Sequence, residues 1–159
     1  MKKTSIVAPD PKPCAFCAYL RGEKPYTFVF RDQKIAILVT REQRGAPHVL
    51  VIPVEHAETL LDISDEQVAA LAIGTREAAK AIEQEYSPQG IYVWQNNGKP
   101  ASQTIGHVHF HVAGTLEKGG TEWGKVPELE LQETEKIAIR LRPYFKNASS
   151  AKTVGGNGI

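Results

Sequence analysis

Histidines at three alternate positions form the most constrained segment of the chain. Residues 107–112 read His-Val-His-Phe-His-Val. Successive side chains of a β-strand point to opposite faces, so this spacing predicts a strand with His107, His109 and His111 on one face and apolar residues on the other. Near neutral pH an imidazole acts as a nucleophile, a proton donor or acceptor, or a metal ligand. Because the chain has only five histidines, we interpret the segment as functional rather than as a half-exposed strand that carries histidines incidentally.

The composition is that of one folded domain with almost no net charge. The chain has 159 residues, 42% of them hydrophobic, and its 19 basic residues nearly balance its 18 acidic ones. This balance argues against nucleic acid or an anionic membrane as a partner. No apolar run approaches the roughly 20 residues of a membrane span. The apolar stretch near the N-terminus stops at Pro9, too early for a signal peptide, so we expect a cytoplasmic protein.

The two cysteines, Cys14 and Cys17, form a single closely spaced pair. One such pair cannot brace a domain of this size, which argues against a secreted disulfide scaffold. A redox dithiol, half of a metal site and two unconnected thiols all remain possible from the spacing. No predicted strand precedes the pair, and this argues against a thioredoxin-type motif.

The hydrophobic pattern predicts an α+β domain with an antiparallel five-stranded sheet and two helices. The predicted strands are 26–30, 34–39, 48–53, 91–95 and 107–112. The first helix starts at Ser64, with Gln67 placed three residues on as in a capping box, and the second spans about 128–144.

We expect three regions along the chain. Residues 1–13 are rich in proline and predict an irregular arm, residues 14–146 form the domain, and residues 147–159 are small, polar and glycine-rich. The last composition is typical of a disordered tail.

Four spaced motifs resemble the histidine triad (HIT) superfamily of nucleotide hydrolases and transferases. Residues 107–113 match its His-φ-His-φ-His-φ-φ pattern, and residues 47–56 resemble its His-x-Leu-Val-Ile-Pro-x-x-His segment. Residues 95–104 are similar to its phosphate-binding loop, and residues 14–25 match the opening of many bacterial members. The likeness spans 14–114 and implies the HIT fold, in a Hint-like, zinc-containing bacterial branch.

The resemblance implies a role for each of three histidines. His109, the middle one, would attack the α-phosphorus of a nucleotide and form a nucleotidyl-histidine that water then hydrolyses. Its other ring nitrogen must carry a proton that an acceptor holds. His111 would stabilise negative charge and help the leaving group, and His48 would orient or protonate. In the uridylyltransferases of this superfamily the corresponding motif ends in glutamine. This chain has His111 at that position, which favours a hydrolase.

The loop before the triad supplies the implied phosphate ligands. Asn96, Gln103 and Thr104 would donate hydrogen bonds to phosphate or bridging oxygens. Taken alone, each belongs to an ordinary turn or surface loop. Their position between a strand and the triad favours the functional interpretation.

The resemblance also implies a structural zinc site. Cys14 and Cys17 would provide two thiolates, and His56 and His107 would complete a tetrahedral set, as in zinc-containing relatives. Four protein ligands leave no open position, so this zinc would brace the fold and would not activate water.

The sequence therefore predicts a homodimeric hydrolase of a nucleoside 5'-phosphoramidate or a related nucleoside-monophosphate linkage. A dinucleoside polyphosphate hydrolase and a zinc-braced nucleotide-binding adaptor with little activity are the alternatives. Many members carry an acidic ribose ligand eight residues before the equivalent of His48, where this chain has Thr40. A hydroxyl makes one such bond but lacks the charge-assisted pair of a carboxylate.

Overall fold

Five antiparallel strands form one sheet in the order β1-β2-β3-β5-β4. The computed structural model of the protein describes residues 4–145. The strands are β1 (Phe28–Arg31), β2 (Ile35–Val39), β3 (His48–Pro53), β4 (Ile91–Gln95) and β5 (Phe110–Gly114). This sheet confirms the predicted α+β class and places the histidine-bearing strands β3 and β5 side by side.

Hydrogen bonds of nearby residues determine where the helices begin. Helix α2 (Asp65–Tyr86) starts with the predicted capping box, in which Ser64 and Gln67 exchange side-chain and backbone hydrogen bonds. Helix α3 (Leu131–Leu141) continues into a 3-10 turn at Arg142–Tyr144. A short helix that the sequence did not predict, α1 (Ala15–Leu20), begins directly after Cys14.

Helix α3 starts three residues later than predicted, because the residues before it pair with the segment 41–42. Glu128 forms an isolated antiparallel bridge with Glu42. The backbone N–H of Leu129 donates to the carbonyl of Arg41 over 2.8 Å. These pairings hold the segment extended, so the helix begins only after Glu130.

Each face of the sheet has its own apolar core. Helices α2 and α3 cover one face, where their side chains pack against alternate strand residues such as Ile37, Val51 and Val112. Helix α1 covers part of the other face through Phe16 and Leu20. The strand residues of this second core include Phe28, Leu38, Leu50 and Ile52. His48 alternates with Val49 along β3, so it lies on the α1 face, and α2 packs on the opposite face.

The histidine spacing predicts a strand that begins at His107, but β5 begins at Phe110. Its pairing with β3 ends at Val51↔Phe110. Pro53 at the end of β3 has no N–H for a ladder bond, and its carbonyl accepts the ring N–H of His107 over 2.9 Å. Residues 107–109 therefore leave the ladder, and Val108 donates to Ala57 instead.

The N-terminal segment 4–13 contains no helix or strand and lies over the loop between β4 and β5. The N–H of Lys99 donates to the carbonyl of Val7 over 2.7 Å. A Cβ at Gly106 would stand 2.7 Å from the carbonyl oxygen of Pro9, so only glycine allows this approach. The predicted tail 147–159 lies outside the described residues. Within residues 4–145, no helix has the length and apolar character needed to cross a membrane.

Candidate active site and metal centre

Three of the five histidines meet at one pocket on the α1 face of the sheet. His48 opens β3 and His111 lies on β5, and their ring centroids are 5.2 Å apart. His109 precedes β5, with its ring centroid 4.9 Å from that of His111. All three line the same pocket. The structure therefore brings together the three histidines that the sequence predicted to be catalytic.

The ring of His109 has a fixed protonation pattern. Its Nδ1 lies 2.7 Å from the backbone carbonyl oxygen of His107. A carbonyl only accepts, so Nδ1 carries the proton and Nε2 keeps a free lone pair. His109 is 5% exposed, and burial lowers its pKa below the ordinary value. The residue is thus a neutral imidazole, and its Nε2 lone pair can attack an electrophile without prior deprotonation.

His48 and His111 form a second, hydrogen-bonded unit. His48 Nε2 and His111 Nδ1 are 3.0 Å apart, so one proton lies between the two rings. Burial, with a smaller contribution from the charge of nearby Arg44, lowers the pKa of His48 to about 4. Burial also lowers the pKa of His111 strongly. Trp94 stacks on His111 with 4.5 Å between ring centroids, and the pair stays neutral near pH 7.

The three predicted phosphate ligands occupy different positions in the loop. Thr104 is exposed and lines the histidine pocket. The amide of Asn96 donates to the carbonyl of Ala101 over 2.7 Å. Gln103 is 3% exposed, and its amide nitrogen donates to the carbonyls of Glu58 and Ile105. Asn96 and Gln103 therefore brace the loop in this structure, while Thr104 faces the pocket.

The pocket ends in an aromatic and charged wall that the sequence did not predict. Tyr19 and Tyr26 stack with ring centroids 4.1 Å apart. Arg41 and Glu128, which line the same pocket, form an ion pair over 3.1 Å. No local pattern could reveal Glu128, because the β-bridge described above brings it from a distant segment. Thr40, at the usual acidic position, lines the same pocket.

A separate group of four side chains lies beside this pocket. Cys14, Cys17, His56 and His107 each offer one ligand atom, and all four atoms lie within 4.8 Å of one another. His107 Nδ1 lies 3.4 Å from Cys14 Sγ, and His56 Nδ1 lies 3.3 Å from Cys17 Sγ. Ligands of one tetrahedral zinc stand about 3.5 Å apart. The donor set and its spacing therefore fit zinc.

The outer hydrogen bond of His107 supports this fit. Its Nε2 donates to the Pro53 carbonyl, so Nδ1 carries no proton and directs its lone pair toward the two sulfurs. Metal-binding histidines commonly donate their second N–H to a carbonyl or carboxylate in this way. The side chain is fully buried, and burial lowers its pKa to about 4, which keeps the ring in the neutral state that binds metals.

Comparison with known proteins identifies the family. Residues 21–118 match the HIT domain. The chain belongs to the HIT family. The adenosine 5'-monophosphoramidase of Schizosaccharomyces pombe is 32% identical over 111 residues, which cover 70% of this chain and 78% of that protein.

Solved HIT structures share the architecture. A Hit-like protein of Bartonella henselae, described as involved in cell-cycle regulation, superposes with a TM-score of 0.78 at 25% identity, over 87% of this chain and 99% of that one. A zinc-bound histidine triad family protein of Mycobacterium smegmatis gives a TM-score of 0.73 at 26% identity, over 90% and 100% of the two chains. The five-stranded sheet with its helices is thus the HIT fold.

In this HIT domain, we expect the buried His48 to make stability depend on pH. Its pKa of about 4 in the folded state lies below the ordinary 6.5, so the unfolded chain binds the proton first. The stabilisation is complete above pH 6.5 and is lost as the pH falls through 4. When the pH falls from 7 to 4.5, the free energy of unfolding should fall in both proteins. The fall should be about 2 kcal/mol smaller in His48→Gln than in the wild type, because the variant lacks this titrating group.

Urea denaturation at the two pH values measures this difference. The groups that face the His48 ring are His109, His111 and Arg44, and all are present in both proteins. Equal losses in the variant and the wild type would show that His48 does not titrate between the two states.

Proposed function

We propose that this HIT protein hydrolyses a nucleoside 5'-phosphoramidate or a related nucleoside-monophosphate linkage through a nucleotidyl intermediate on His109. The observation that carries the proposal is the hydrogen bond from His109 Nδ1–H to the backbone carbonyl of His107, since it leaves the Nε2 lone pair available as a nucleophile at the pocket. The monophosphoramidase activity named for the relative in Schizosaccharomyces pombe supports the choice of linkage.

The reaction divides into two displacements at one phosphorus atom. In the first, the Nε2 lone pair of His109 attacks phosphorus, and the bond to the leaving group breaks with its electron pair on the amine or oxygen that departs. In the second, water attacks phosphorus and the electron pair of the P–N bond returns to Nε2. The departing amine or oxygen takes up a proton from solvent in the first step. One water is consumed in the second step: its hydroxyl stays on phosphorus, and its proton returns to solvent, which balances the one taken up. Splitting the reaction replaces one difficult step by two easier ones.

The other site residues support both steps in this proposal. His111 lies next to His109 and stabilises charge at the departing bond, while His48 sets the orientation of His111 through their shared proton. Thr104 donates to phosphate oxygens from the pocket wall. Asn96 and Gln103 serve the phosphate site through the loop that they brace, because their amides bind its backbone carbonyls.

Replacement of the nucleophile tests the mechanism. His109→Ala should abolish turnover of adenosine 5'-phosphoramidate and should form no covalent nucleotidyl adduct, which mass spectrometry of the mixed protein detects. His48→Gln is the matched control within the same cluster, and it should react more slowly but still form the adduct. Unchanged turnover in His109→Ala would contradict the mechanism. Nucleotide binding without turnover or adduct in the wild type would instead indicate an adaptor.

We also propose that Cys14, Cys17, His56 and His107 hold a structural zinc ion. The support is the close approach of their four ligand atoms, all within 4.8 Å of one another, and the orienting hydrogen bond of His107 to Pro53. When bound, the ion would tie helix α1, which follows Cys14, to the ends of β3 and of the β4–β5 loop. Four protein ligands leave no open coordination position on the zinc ion. In this proposal the ion therefore takes no part in the reaction, which the catalytic histidines carry out.

Metal analysis tests this assignment independently of activity. The purified protein should contain about one zinc ion per chain, and Cys14→Ser should lose it. His48→Gln should keep its zinc, because His48 belongs to the other histidine group. A wild-type protein that is fully stable without metal would contradict the assignment and indicate free thiols.

We further propose a homodimer that forms through the edge strand β4. Strand β4 pairs only with β5 among the described strands, so its outer backbone groups can pair with a second copy across a two-fold axis. Val93 is 49% exposed there, although apolar residues of paired strands are usually covered.

Sedimentation velocity measures this association. Val93→Lys should shift the protein from dimer to monomer, because a lysine on an edge strand opposes strand pairing. Ile139→Lys, at a position on α3 that is 58% exposed, should leave the dimer intact. A wild-type protein that sediments as a monomer would overturn the proposed interface.

A further inference from the structure

The loop between β2 and β3, residues 40–47, holds His48 through the side-chain amide of Gln43. The backbone N–H of His48 donates to Gln43 Oε1 over 2.8 Å, and Gln43 Nε2 donates to the backbone carbonyl of His48 over 2.8 Å. The same Nε2 also donates to the carbonyl of Thr40 over 2.6 Å. Two carbonyls can be satisfied only by the nitrogen end of the amide, so these partners fix its orientation.

The amide of Gln43 takes the place of a neighbouring strand for His48. The pairing of β2 with β3 ends at Val39↔Val49, one residue short of His48. His48 is only 2% exposed, and a buried backbone group without a hydrogen-bond partner is costly. Gln43 supplies a partner for both the N–H and the C=O of His48, as the next residue of a strand would.

The residues on either side of Gln43 contact the ring of His48 itself. The carbonyl oxygen of Glu42 lies 3.1 Å from Nδ1, and the backbone nitrogen of Arg44 lies 3.3 Å from the same atom. A neutral imidazole either donates from Nδ1 or accepts there. Because the other nitrogen, Nε2, is bonded to His111 Nδ1, the partner at Nδ1 also determines which nitrogen of His111 carries the proton.

The role proposed for His111 requires one of these two arrangements. A hydrogen bond to the departing atom needs a proton on His111 Nε2, so His111 Nδ1 must accept from His48 Nε2–H. His48 Nδ1 then has no proton and accepts from the backbone N–H of Arg44. The opposite tautomer, with Nδ1–H donating to the Glu42 carbonyl, leaves His111 Nε2 with a lone pair. The positions of residues 42 and 44 relative to the ring therefore control the proton that faces the leaving group.

Both ends of this loop are fixed by contacts that do not involve Gln43. At one end, Glu42 forms the β-bridge with Glu128. At the other end, the N–H of Ala46 donates to the carbonyl of Gly114 over 2.9 Å. Removal of the Gln43 amide should therefore leave the loop folded, and it should change how closely the loop holds the catalytic strand.

Building on the proposed function, we propose that Gln43 is a positioning residue that determines, through the ring of His48, which nitrogen of His111 carries the proton. Among the described residues, Glu42 and Arg44 line the histidine pocket, whereas Gln43 between them does not. Its side chain thus acts on the reaction indirectly, by keeping the Glu42 carbonyl and the Arg44 N–H at their distances from the His48 ring.

Two leaving groups that differ in their need for His111 test this role. The amine of adenosine 5'-hexylphosphoramidate cannot leave without a proton, whereas p-nitrophenolate, the leaving group of adenosine 5'-p-nitrophenyl phosphate, spreads its charge over the ring and departs as an anion. Gln43→Met removes the amide and its hydrogen bonds but keeps the side-chain length. It should lower kcat/KM about ten-fold for the hexylamine compound and less than about two-fold for the nitrophenyl ester.

A matched glutamine provides the control. Gln67→Met removes an amide from the capping box of α2, outside the histidine pocket, and should leave the ratio of the two kcat/KM values unchanged. Gln43→Glu keeps the acceptor for His48 but places a carboxylate oxygen against the two carbonyls, so it should show the same selective loss as Gln43→Met. Turnover of the nitrophenyl ester shows that each variant is folded. Equal losses for both substrates in Gln43→Met would overturn the positioning role.

Combination with His48→Gln shows whether Gln43 acts through that ring. His48→Gln should itself lower kcat/KM for the hexylamine compound more than for the nitrophenyl ester. Adding Gln43→Met should then cause no further loss, because residues that act through one group are not additive. Losses that multiply in the double variant would contradict the proposal.

Nitrogen NMR of the histidine rings gives a measurement that does not require turnover. The ring nitrogen shifts of His48 and His111 should change in Gln43→Met and stay the same in Gln67→Met. Unchanged shifts in Gln43→Met would overturn the positioning role alone. No turnover of either compound by the wild type, and no adduct on His109, would overturn the proposed function and with it the role of Gln43.

Discussion

One hydrogen bond, from the ring of His109 to the backbone carbonyl of His107, sets the chemistry of this site. In a regular strand that carbonyl would point toward a neighbouring strand. Here residues 107–109 lie outside the sheet ladder, which the chain joins at Phe110, and the carbonyl accepts the ring N–H instead. The departure is possible because Pro53 cannot donate to the ladder and takes the His107 ring as its partner. The end of β3 thus determines the tautomer of His109, the proposed nucleophile.

The same departure assigns the alternating histidines to different tasks. His107, turned toward Pro53 and the cysteines, lies with the possible metal ligands, whereas His109 and His111 line the pocket. Phe16 separates and supports the two groups, because its ring contacts both His107 and His109 edge-on, at 5.6 and 5.3 Å. One short helix therefore bounds both sites, although each uses its own donors.

Much of the fold could be predicted because its signals are local. The capping box at Ser64 locates the start of α2, and Pro53 locates the end of β3. The histidine groups were predicted because the spacing resembles that of a known family. Helix α1 was missed because six residues show little periodicity. The bridge of Glu128 and the contact of Trp123 with Trp94 join distant segments, so no sequence window contains both partners.

The close approach of the N-terminal segment to Gly98 and Gly106 has a practical consequence. The backbone of residues 7–10 occupies the space where side chains of the β4–β5 loop would otherwise lie. That segment leads directly into Cys14. Shortening the chain at this end, a common step in preparing crystals, would uncover the loop beneath. The first described residues, although mostly exposed themselves, therefore serve as a cover for the β4–β5 loop.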